Sequence, residues 1–164
     1  MTIRAYIGIG SNLEDPVAQV KDAIEELGML PDTILAGRSS LYTNKPMGPQ
    51  DQPDYINAVV GLDTLLSVDE LFAQLMRIEE LAGRVRDGKR WGPRILDLDL
   101  LLYGKKKVDK AGLKVPHPGL HERDFVIIPL AEVAGNLNIP GHGLLSTLIN
   151  QVENHSLKKV ITGQ

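Results

Sequence analysis

Two aspartates, Asp97 and Asp99, stand two residues apart in an otherwise apolar run from Ile95 to Tyr103. On a β-strand, residues two apart project from the same face, so the two carboxylates would lie side by side. Asp is disfavoured in strands and is costly to bury without a partner, so the pair needs either water or a counter-charge. A solvated strand face would supply the first, and a bound cation would supply the second.

A cationic segment comes directly before this apolar run. Its cations, which surround Trp91, the only tryptophan of the chain, are Arg84, Arg86, Lys89, Arg90 and Arg94. Gly88, Gly92 and Pro93 interrupt the segment and predict an irregular loop. Carboxylates hold Mg²⁺ through their oxygens, and guanidinium groups bind phosphate oxygens in bidentate fashion. A basic loop beside paired carboxylates therefore favours a site where Mg²⁺ bridges to a polyphosphate.

The composition limits the classes of protein to which the chain can belong. At 164 residues it is most simply one domain, residues 1–164, large enough to bury a core although it has no cysteine. A formal charge of −3 argues against general binding to nucleic acid or membranes, which normally requires a basic excess. The first residues lack the apolar stretch of a signal peptide, and no apolar segment approaches membrane-spanning length. We therefore expect a soluble cytoplasmic protein.

Hydrophobic periodicity predicts the elements that position these residues. Strands are predicted at 3–10, 34–42, 55–64 and 95–103. Helices are predicted at 16–28, capped by Asp15, and at 68–83, opened by the capping box Ser67-Val68-Asp69-Glu70. Beyond Gly104, short helices are predicted at 123–133 and 144–152, and the tail 156–164 either adds a short strand or frays. The order βαββαβ is that of a ferredoxin-like α+β core, an antiparallel sheet with helices on one face.

The predicted sheet divides its residues between two faces. The face under the helices would carry Leu96, Leu98, Leu100 and Leu102. By elimination, the open face would carry the two aspartates, Tyr55, Asn57 and the glycines of the first strand. Asn57 could read a planar heterocycle and Tyr55 could stack on it, although ordinary sheet surface is the alternative for each. Strand glycines allow a ligand to approach closely, or simply pack under a neighbouring element.

Two segments between elements are candidates for binding. The segment 43–54 is predicted to be a long irregular loop, because it contains Pro46, Gly48, Pro49 and Pro53. Such a loop either binds a ligand or is a surface excursion. The segment 115–118 is extended by its prolines and carries His117, the histidine nearest to the predicted site. This histidine is either a ligand-binding residue or a structural one.

The chain resembles one enzyme family, the 6-hydroxymethyl-7,8-dihydropterin pyrophosphokinases of folate biosynthesis. Its signature is matched by the run Arg90-Trp91-Gly92-Pro93-Arg94-Ile95-Leu96-Asp97-Leu98-Asp99-Leu100-Leu101. The resemblance continues through Gly10-Ser11-Asn12, Pro46-Met47-Gly48-Pro49-Gln50-Asp51-Gln52-Pro53, Tyr55-Ile56-Asn57 and Val115-Pro116-His117. It covers most of the chain and weakens after about Pro129. Several separated motifs in the right order are far more specific than an isolated Asp-x-Asp.

The resemblance implies an activity and a set of site residues. Members of the family have a ferredoxin-like α+β core and transfer the pyrophosphoryl group of ATP to the pterin hydroxymethyl oxygen, which releases AMP. By resemblance, two Mg²⁺ ions are held by Asp97 and Asp99, which act with the catalytic arginines Arg84 and Arg94. Nucleotide-binding positions implied in the same way are Glu79, Arg86, Arg94, Leu100, His117 and Arg123. Pterin-binding positions are Asn44, Pro46, Met47, Gly48, Tyr55, Asn57, Trp91 and Phe125. Our hypothesis is in-line attack by the pterin hydroxyl on the β-phosphorus of ATP. We expect the protein to be a monomer that acts on these small molecules.

The chain also departs from the family pattern. Gly112 stands where some members carry an arginine, and Met76, Asp87 and Pro118 replace a glutamine, a lysine and an aromatic residue. These departures affect the nucleotide contacts and leave open a degenerate, inactive member of the family. A second alternative is a binding module of the same shape whose arginine loop engages nucleic acid. The negative charge and the scarcity of aromatic residues disfavour that alternative.

Overall fold

The computed structural model of the chain describes residues 1–13, 15–44, 54–83, 96–152 and 157–160. Within these ranges the helices are α1 (Pro16–Gly28), α2 (Val68–Gly83), α3 (Asp124–Ala134) and α4 (Leu145–Gln151), with a short 3₁₀ helix at Leu120–Glu122. All four predicted helices are therefore confirmed, with boundaries shifted by one residue at most. None of these described helices is both long enough and apolar enough to cross a membrane.

An antiparallel sheet forms the centre of the fold, and the prediction of mixed α and β structure is confirmed. Its strands are β1 (Ile3–Ser11), β2 (Thr33–Arg38), β3 (Tyr42–Asn44), β4 (Tyr55–Thr64), β5 (Asp97–Tyr103) and β10 (Lys158–Lys159). β1 lies between β4 and β5, while β2 and β3 both pair with β4 and β10 pairs with β3. Two small hairpins, which the sequence analysis did not predict, are β6 (Val108–Lys110) with β7 (Leu113–Val115) and β8 (Asn138–Ile139) with β9 (Gly143–Leu144).

Helices α1 and α2 begin at the predicted caps and cover one face of the sheet. The Asp15 side chain accepts the backbone N–H of Ala18, and the Ser67 and Glu70 side chains accept each other's backbone N–H. The buried residues of both helices join a single core cluster with the alternating apolar residues of β1, β4 and β5. This layer holds the central strands rigidly beneath the candidate site.

The predicted second strand, 34–42, is wrong in one respect, because the chain there forms two separate strands. Between β2 and β3, the Ser39 side-chain oxygen accepts the Val59 backbone N–H at 2.9 Å, a bond that a strand carbonyl would otherwise take. A register irregularity lies between Leu35 and Gly37 of the same segment. A side chain that competes with the backbone for ladder hydrogen bonds interrupts a strand in this way.

The predicted position of Leu102 under the helices is also wrong. Opposite the step from Tyr6 to Ile7 the register of β5 shifts by one residue, so that Leu100 and Leu102 pair with neighbouring residues of β1. A bulge of this kind places an extra residue, here Leu101, in one strand. Leu101 and Leu102 consequently both belong to the core cluster on the opposite face of the sheet, whereas Leu96, Leu98 and Leu100 lie under the helices.

The face opposite α1 and α2 is only half open. Helices α3 and α4 pack on it and form a second core cluster around Tyr6, Val59, Leu101 and Leu102. Both helices are predicted from the sequence, but their position on the sheet is not. Among the described residues, nothing else covers the part of the sheet that contains the glycines of β1 and the aspartates of β5.

Glu132 fastens α3 to the edge of the sheet. Its carboxylate accepts hydrogen bonds from the Ser40 backbone N–H at 3.1 Å, from the Ser40 hydroxyl at 2.7 Å and from the buried Tyr42 hydroxyl at 2.7 Å. Burial acts to raise the pKa of Glu132, but these hydrogen bonds and the charge of Lys159 outweigh it and hold the pKa below its ordinary value. The ionised form therefore stabilises the docked helix.

We expect Glu132→Ala to lower the free energy of unfolding by about 1–2 kcal/mol, because the variant loses charged acceptors for Ser40 and Tyr42. As the pH falls, the Glu132 carboxylate takes up a proton at a higher pH in the unfolded chain than in the folded one. The stabilisation is therefore complete above about pH 5 and disappears as the pH falls through the folded-state pKa of Glu132. Urea unfolding at pH 7 and pH 3 measures both effects. Glu26→Ala, an exposed change on α1, is the control, and equal pH dependence in wild type and Glu132→Ala would contradict this role.

Candidate active site

A cavity of about 250 Å³ opens on the uncovered half of the sheet and is called the first cavity below. β1, β3, β4, β5 and the start of α3 contribute its walls. Its lining residues are Gly8, Ile9, Gly10, Asn44, Tyr55, Asn57, Ala58, Asp97, Asp99, Arg123, Phe125 and Val126. The fold thus brings together seven of the candidate residues named from the sequence, which lie up to 81 positions apart in the chain, from Asn44 to Phe125.

The glycines of β1 form the floor of the first cavity. Gly10 pairs with Asn57 on one side and with Asp97 on the other, and Gly8 pairs with Asp99. A Cβ atom on Gly10 would lie 3.1 Å from Oδ1 of Asn57, closer than an ordinary contact. The bare backbone therefore lets a ligand approach the amide and the carboxylates across one open floor.

Asparagines on β3 and β4 build the amide end of the cavity. Asn44 and Asn57 are both buried, and the Asn57 side-chain amide donates a hydrogen bond to Oδ1 of Asn44. Tyr55 precedes Asn57 by two residues, and burial, followed by the charge of Asp97, raises the pKa of its hydroxyl, so the phenol is neutral near pH 7. This end offers both an aromatic ring and hydrogen-bonding groups to a flat polar molecule.

The beginning of α3 forms another wall of the first cavity. Phe125 lines the cavity, and the Arg123 guanidinium lies 5.7 Å from the centroid of its ring. At that distance the cation is attracted by the face of the aromatic ring, which helps to orient both side chains. The beginning of α3 thereby contributes an aromatic ring and a cation to the lining of the first cavity.

The carboxylates of Asp97 and Asp99 alternate with buried leucines along β5, as predicted. Nε2 of His117 lies 3.8 Å from Oδ1 of Asp99, and its Nδ1 accepts the Gly119 backbone N–H at 3.2 Å. Since Nδ1 is the acceptor, the neutral ring carries its proton on Nε2, next to the carboxylate. Burial lowers the pKa of His117, the charge of Asp99 partly opposes this, and that of Arg123 reinforces it.

The aspartate pair suits a hard divalent cation. No group of three or more His, Cys, Asp or Glu side chains that could hold a metal ion occurs within the described ranges. Mg²⁺ does not need such a group, because it commonly takes one or two protein carboxylates and completes its shell with waters and substrate phosphates. Asp99 has 44% of its side chain exposed, and both carboxylates line the first cavity. The residues present therefore fit Mg²⁺.

A second cavity, of about 320 Å³, adjoins the first at Asp99, which lines both. Among the positions implied for nucleotide binding, it contains Leu100 and His117. It also contains Gly112 and Pro118, two of the departures from the family pattern. The other lining residues of the second cavity were not identified as binding residues from the sequence, and they are Phe72, Leu98, Leu113 and Lys114. No sequence signal marks them, because they converge only when the β6–β7 hairpin folds beside β5.

Gly112 has a structural explanation. It lies in the turn between β6 and β7 with a φ of +82°, a backbone conformation that side chains with a Cβ rarely adopt. Apart from Gly112 itself and its two chain neighbours, no described residue has an atom within 4 Å of the position that a Cβ would occupy. The departure from the family pattern at this position thus coincides with a turn whose geometry favours glycine.

Glu79, the remaining described candidate, lines neither cavity. Its Oε2 instead accepts the backbone N–H of Leu98 at 2.6 Å. The other candidates lie outside the described residues, and they are Arg84, Arg86, Trp91, Arg94, Pro46, Met47 and Gly48. The departure at Asp87 lies there too, whereas Met76 is half-exposed on α2.

Comparison with known proteins gives a consistent result. The family model described as 7,8-dihydro-6-hydroxymethylpterin-pyrophosphokinase (HPPK) matches residues 6–135. A Haemophilus influenzae protein named 2-amino-4-hydroxy-6-hydroxymethyldihydropteridine pyrophosphokinase is 46% identical over 158 residues, which are 96% of this chain and 98% of that protein. A Pseudomonas aeruginosa protein of the same name is 46% identical over 140 residues, 85% of this chain and 86% of its own.

The fold also has counterparts among solved structures. The crystal structure of Plasmodium falciparum HPPK-DHPS wild type with pteroate aligns with 92% of this chain at a TM-score of 0.70. This chain spans only 42% of that longer chain, and the sequence identity is 12%. At that identity the likeness concerns the fold alone.

Proposed function

The chain belongs to the 7,8-dihydro-6-hydroxymethylpterin-pyrophosphokinase family, and we propose that it transfers the pyrophosphoryl group of ATP to the hydroxymethyl group of 6-hydroxymethyl-7,8-dihydropterin in folate biosynthesis. The observation that carries this proposal is the first cavity, in which buried amides, two aromatic rings and paired carboxylates surround one glycine floor. A flat, polar heterocycle with a reactive hydroxyl suits that combination of groups.

The pterin occupies the amide end of the first cavity. Tyr55 and Phe125 line this cavity from different elements and supply aromatic surfaces for the ring system. Asn44 and Asn57 supply donors and acceptors for its polar edge. By resemblance, Pro46, Met47, Gly48 and Trp91 complete this part of the site. The hydroxymethyl group then faces the carboxylates of β5.

ATP occupies the second cavity, with its triphosphate near Asp99. This position is supported by the shared lining residue, since Asp99 would stand at the junction of the two substrates. The Nε2–H of His117, beside Asp99, and the guanidinium of Arg123, in the adjoining first cavity, would donate hydrogen bonds to phosphate oxygens. Arg84, Arg86 and Arg94 join them by resemblance, and Leu100 lines the nucleotide side.

Two Mg²⁺ ions would be held by Asp97 and Asp99. When bound, Mg²⁺ supplies charge neutralisation along the triphosphate and Lewis-acid polarisation of the transferring group. The protein's own cations are needed as well, because a triphosphate brings about four negative charges to a site with two carboxylates. Opposite charges about 4 Å apart attract by about 4 kcal/mol at an effective dielectric constant of about 20.

The transfer proceeds by in-line attack of the pterin hydroxyl oxygen on the β-phosphorus. The new O–P bond forms as the bond from the β-phosphorus to the α-phosphate oxygen breaks, AMP leaves, and the hydroxyl proton passes to water. The contribution of the protein is to hold the hydroxyl and the phosphorus in line and to place cations where charge develops. Arg84 and Arg94 have the second role by resemblance. Phosphoryl transfer has a loose transition state, so a dedicated side-chain base is not essential, and we assign none.

The finer architecture is part of the same proposal. Residues 1–164 would form one pyrophosphokinase domain that acts as a monomer. The proposed ferredoxin-like core consists of β1, α1, β2 with β3, β4, α2 and β5. The order of the strands in the sheet and the shared core cluster of α1 and α2 support this description.

The direct test is incubation of the purified chain with ATP, Mg²⁺ and 6-hydroxymethyl-7,8-dihydropterin, with separation of the nucleotide products. We expect AMP, formed only when pterin and metal are both present, in equal amount to pterin pyrophosphate. ADP would instead mean transfer of a single phosphoryl group. A folded protein that forms neither product would be a degenerate member of the family.

A further inference from the structure

Glu79 makes a contact that differs from the nucleotide-binding role implied by resemblance. The carboxylate extends from α2 to β5, where Oε2 accepts the Leu98 backbone N–H at 2.6 Å. Leu98 stands between Asp97 and Asp99, the two residues proposed to hold metal. A short bond from an N–H to a charged carboxylate is among the stronger hydrogen bonds of a protein.

The position of Leu98 in the sheet explains why it needs this partner. Among the described strands, β5 pairs only with β1, so its other edge has no strand beside it. In an antiparallel pair, successive residues alternately direct their N–H groups toward and away from the partner strand. Because the Leu98 N–H reaches Glu79, Asp97 and Asp99 direct theirs toward Gly10 and Gly8 of β1. The segment 97–99 is thereby hydrogen-bonded along both edges, to β1 on one side and to Glu79 on the other.

We propose that Glu79 is a positioning residue for the metal-holding aspartates, and that it acts through the backbone of Leu98. Partners behind metal ligands fix the orientation of those ligands, and their loss typically weakens metal affinity or activity about 10–100-fold. Two side-by-side carboxylates repel each other, so without such a restraint the edge strand is free to turn them apart. Glu79 lines neither cavity, in keeping with an indirect role. The inference rests on the proposed function only for the identity of the metal-dependent reaction.

The variants Glu79→Ala and Glu79→Gln separate the possible roles. Alanine removes the acceptor, whereas glutamine keeps an oxygen that can still accept the Leu98 N–H. The matched control is Glu25→Ala, the same substitution at an exposed position of α1. Three quantities are measured for each protein: exchange of the Leu98 amide hydrogen by NMR, the dissociation constant of Mn²⁺ in the presence of a non-hydrolysable ATP analogue, and the Mg²⁺ dependence of turnover.

In Glu79→Ala we expect faster exchange at Leu98 and a Mn²⁺ dissociation constant about 10–100-fold higher, with a parallel shift in the Mg²⁺ needed for half-maximal turnover. Glu79→Gln should remain within about threefold of wild type in metal affinity, because a neutral acceptor still orients the strand. Glu25→Ala should match wild type throughout.

Two results would overturn the inference. Faster exchange at Leu98 with unchanged Mn²⁺ affinity would make Glu79 a purely structural residue. A higher KM for ATP with unchanged exchange and Mn²⁺ affinity would make it a nucleotide contact. If wild type showed no pyrophosphoryl transfer while Glu79→Ala still weakened Mn²⁺ binding, the proposed function would fail and the positioning role would stand.

Discussion

Replacement of Asp97 or Asp99 by asparagine is expected to lower the rate of pyrophosphoryl transfer about 10³-fold, the largest effect that we predict for a single substitution. A metal ion at the transferring group contributes several kcal/mol of charge stabilisation, and each 1.4 kcal/mol corresponds to about a tenfold change in rate. Asparagine keeps the size and shape of the side chain but loses the charge that we propose to hold Mg²⁺. Single-turnover measurements at saturating ATP and pterin, over a range of Mg²⁺ concentrations, report the loss.

The fold should survive these substitutions. Asp99 has 44% of its side chain exposed, and the two carboxylates are neighbours on one strand face, where like charges repel. We therefore expect the free energy of unfolding without metal to be unchanged or slightly higher in the variants. Asp109→Asn, at an exposed position of β6, is the matched control. Turnover like that of wild type in either site variant would reject the metal role of that residue.

The parts of the site that were predictable from sequence depend on local periodicity. The two-residue spacing of Asp97 and Asp99 fixes their common face once the segment is a strand, and β5 has that alternation. The common face of Asn57 and the glycines of β1 was predictable in the same way, because β1 and β4 were both predicted within one residue of their ends. The caps at Asp15 and Ser67 fixed the helix starts for the same reason, since capping depends on residues at most three apart.

The parts that were not predictable depend on contacts between distant residues. Leu102 belongs to the second core cluster because of a bulge in the pairing of β5 with β1, and no residue type in β5 predicts such a bulge. The bond from Glu79 to Leu98 joins two elements across 19 positions of the chain. The coverage of half the sheet by α3 likewise depends on packing against Val59 and Leu101. Periodicity describes one element at a time and is silent about such pairings.

The amide pair at the other end of the first cavity leads to the second large effect. Asn57→Ala removes both the donor to Asn44 and the group that faces Gly10, in a pocket where Asn57 is only 6% exposed. A bound pterin would lose about two hydrogen bonds of about 1.5 kcal/mol each, or about 100-fold in affinity. We therefore expect KM for the pterin to rise about 100-fold, while KM for ATP changes little because the second cavity does not include Asn57.

The selectivity of that effect tests where each substrate binds. Steady-state kinetics with each substrate varied at saturation of the other separates the two KM values, and Asn138→Ala, at an exposed position of β8, serves as the control. Removal of Asn57 also leaves Asn44 without one of its donors, so a loss of about 1 kcal/mol in the free energy of unfolding should accompany the kinetic change. Because that loss weakens the fold but does not distinguish between substrates, it cannot by itself produce a selective rise in KM for the pterin. An equal rise in both KM values would therefore place the pterin away from Asn57.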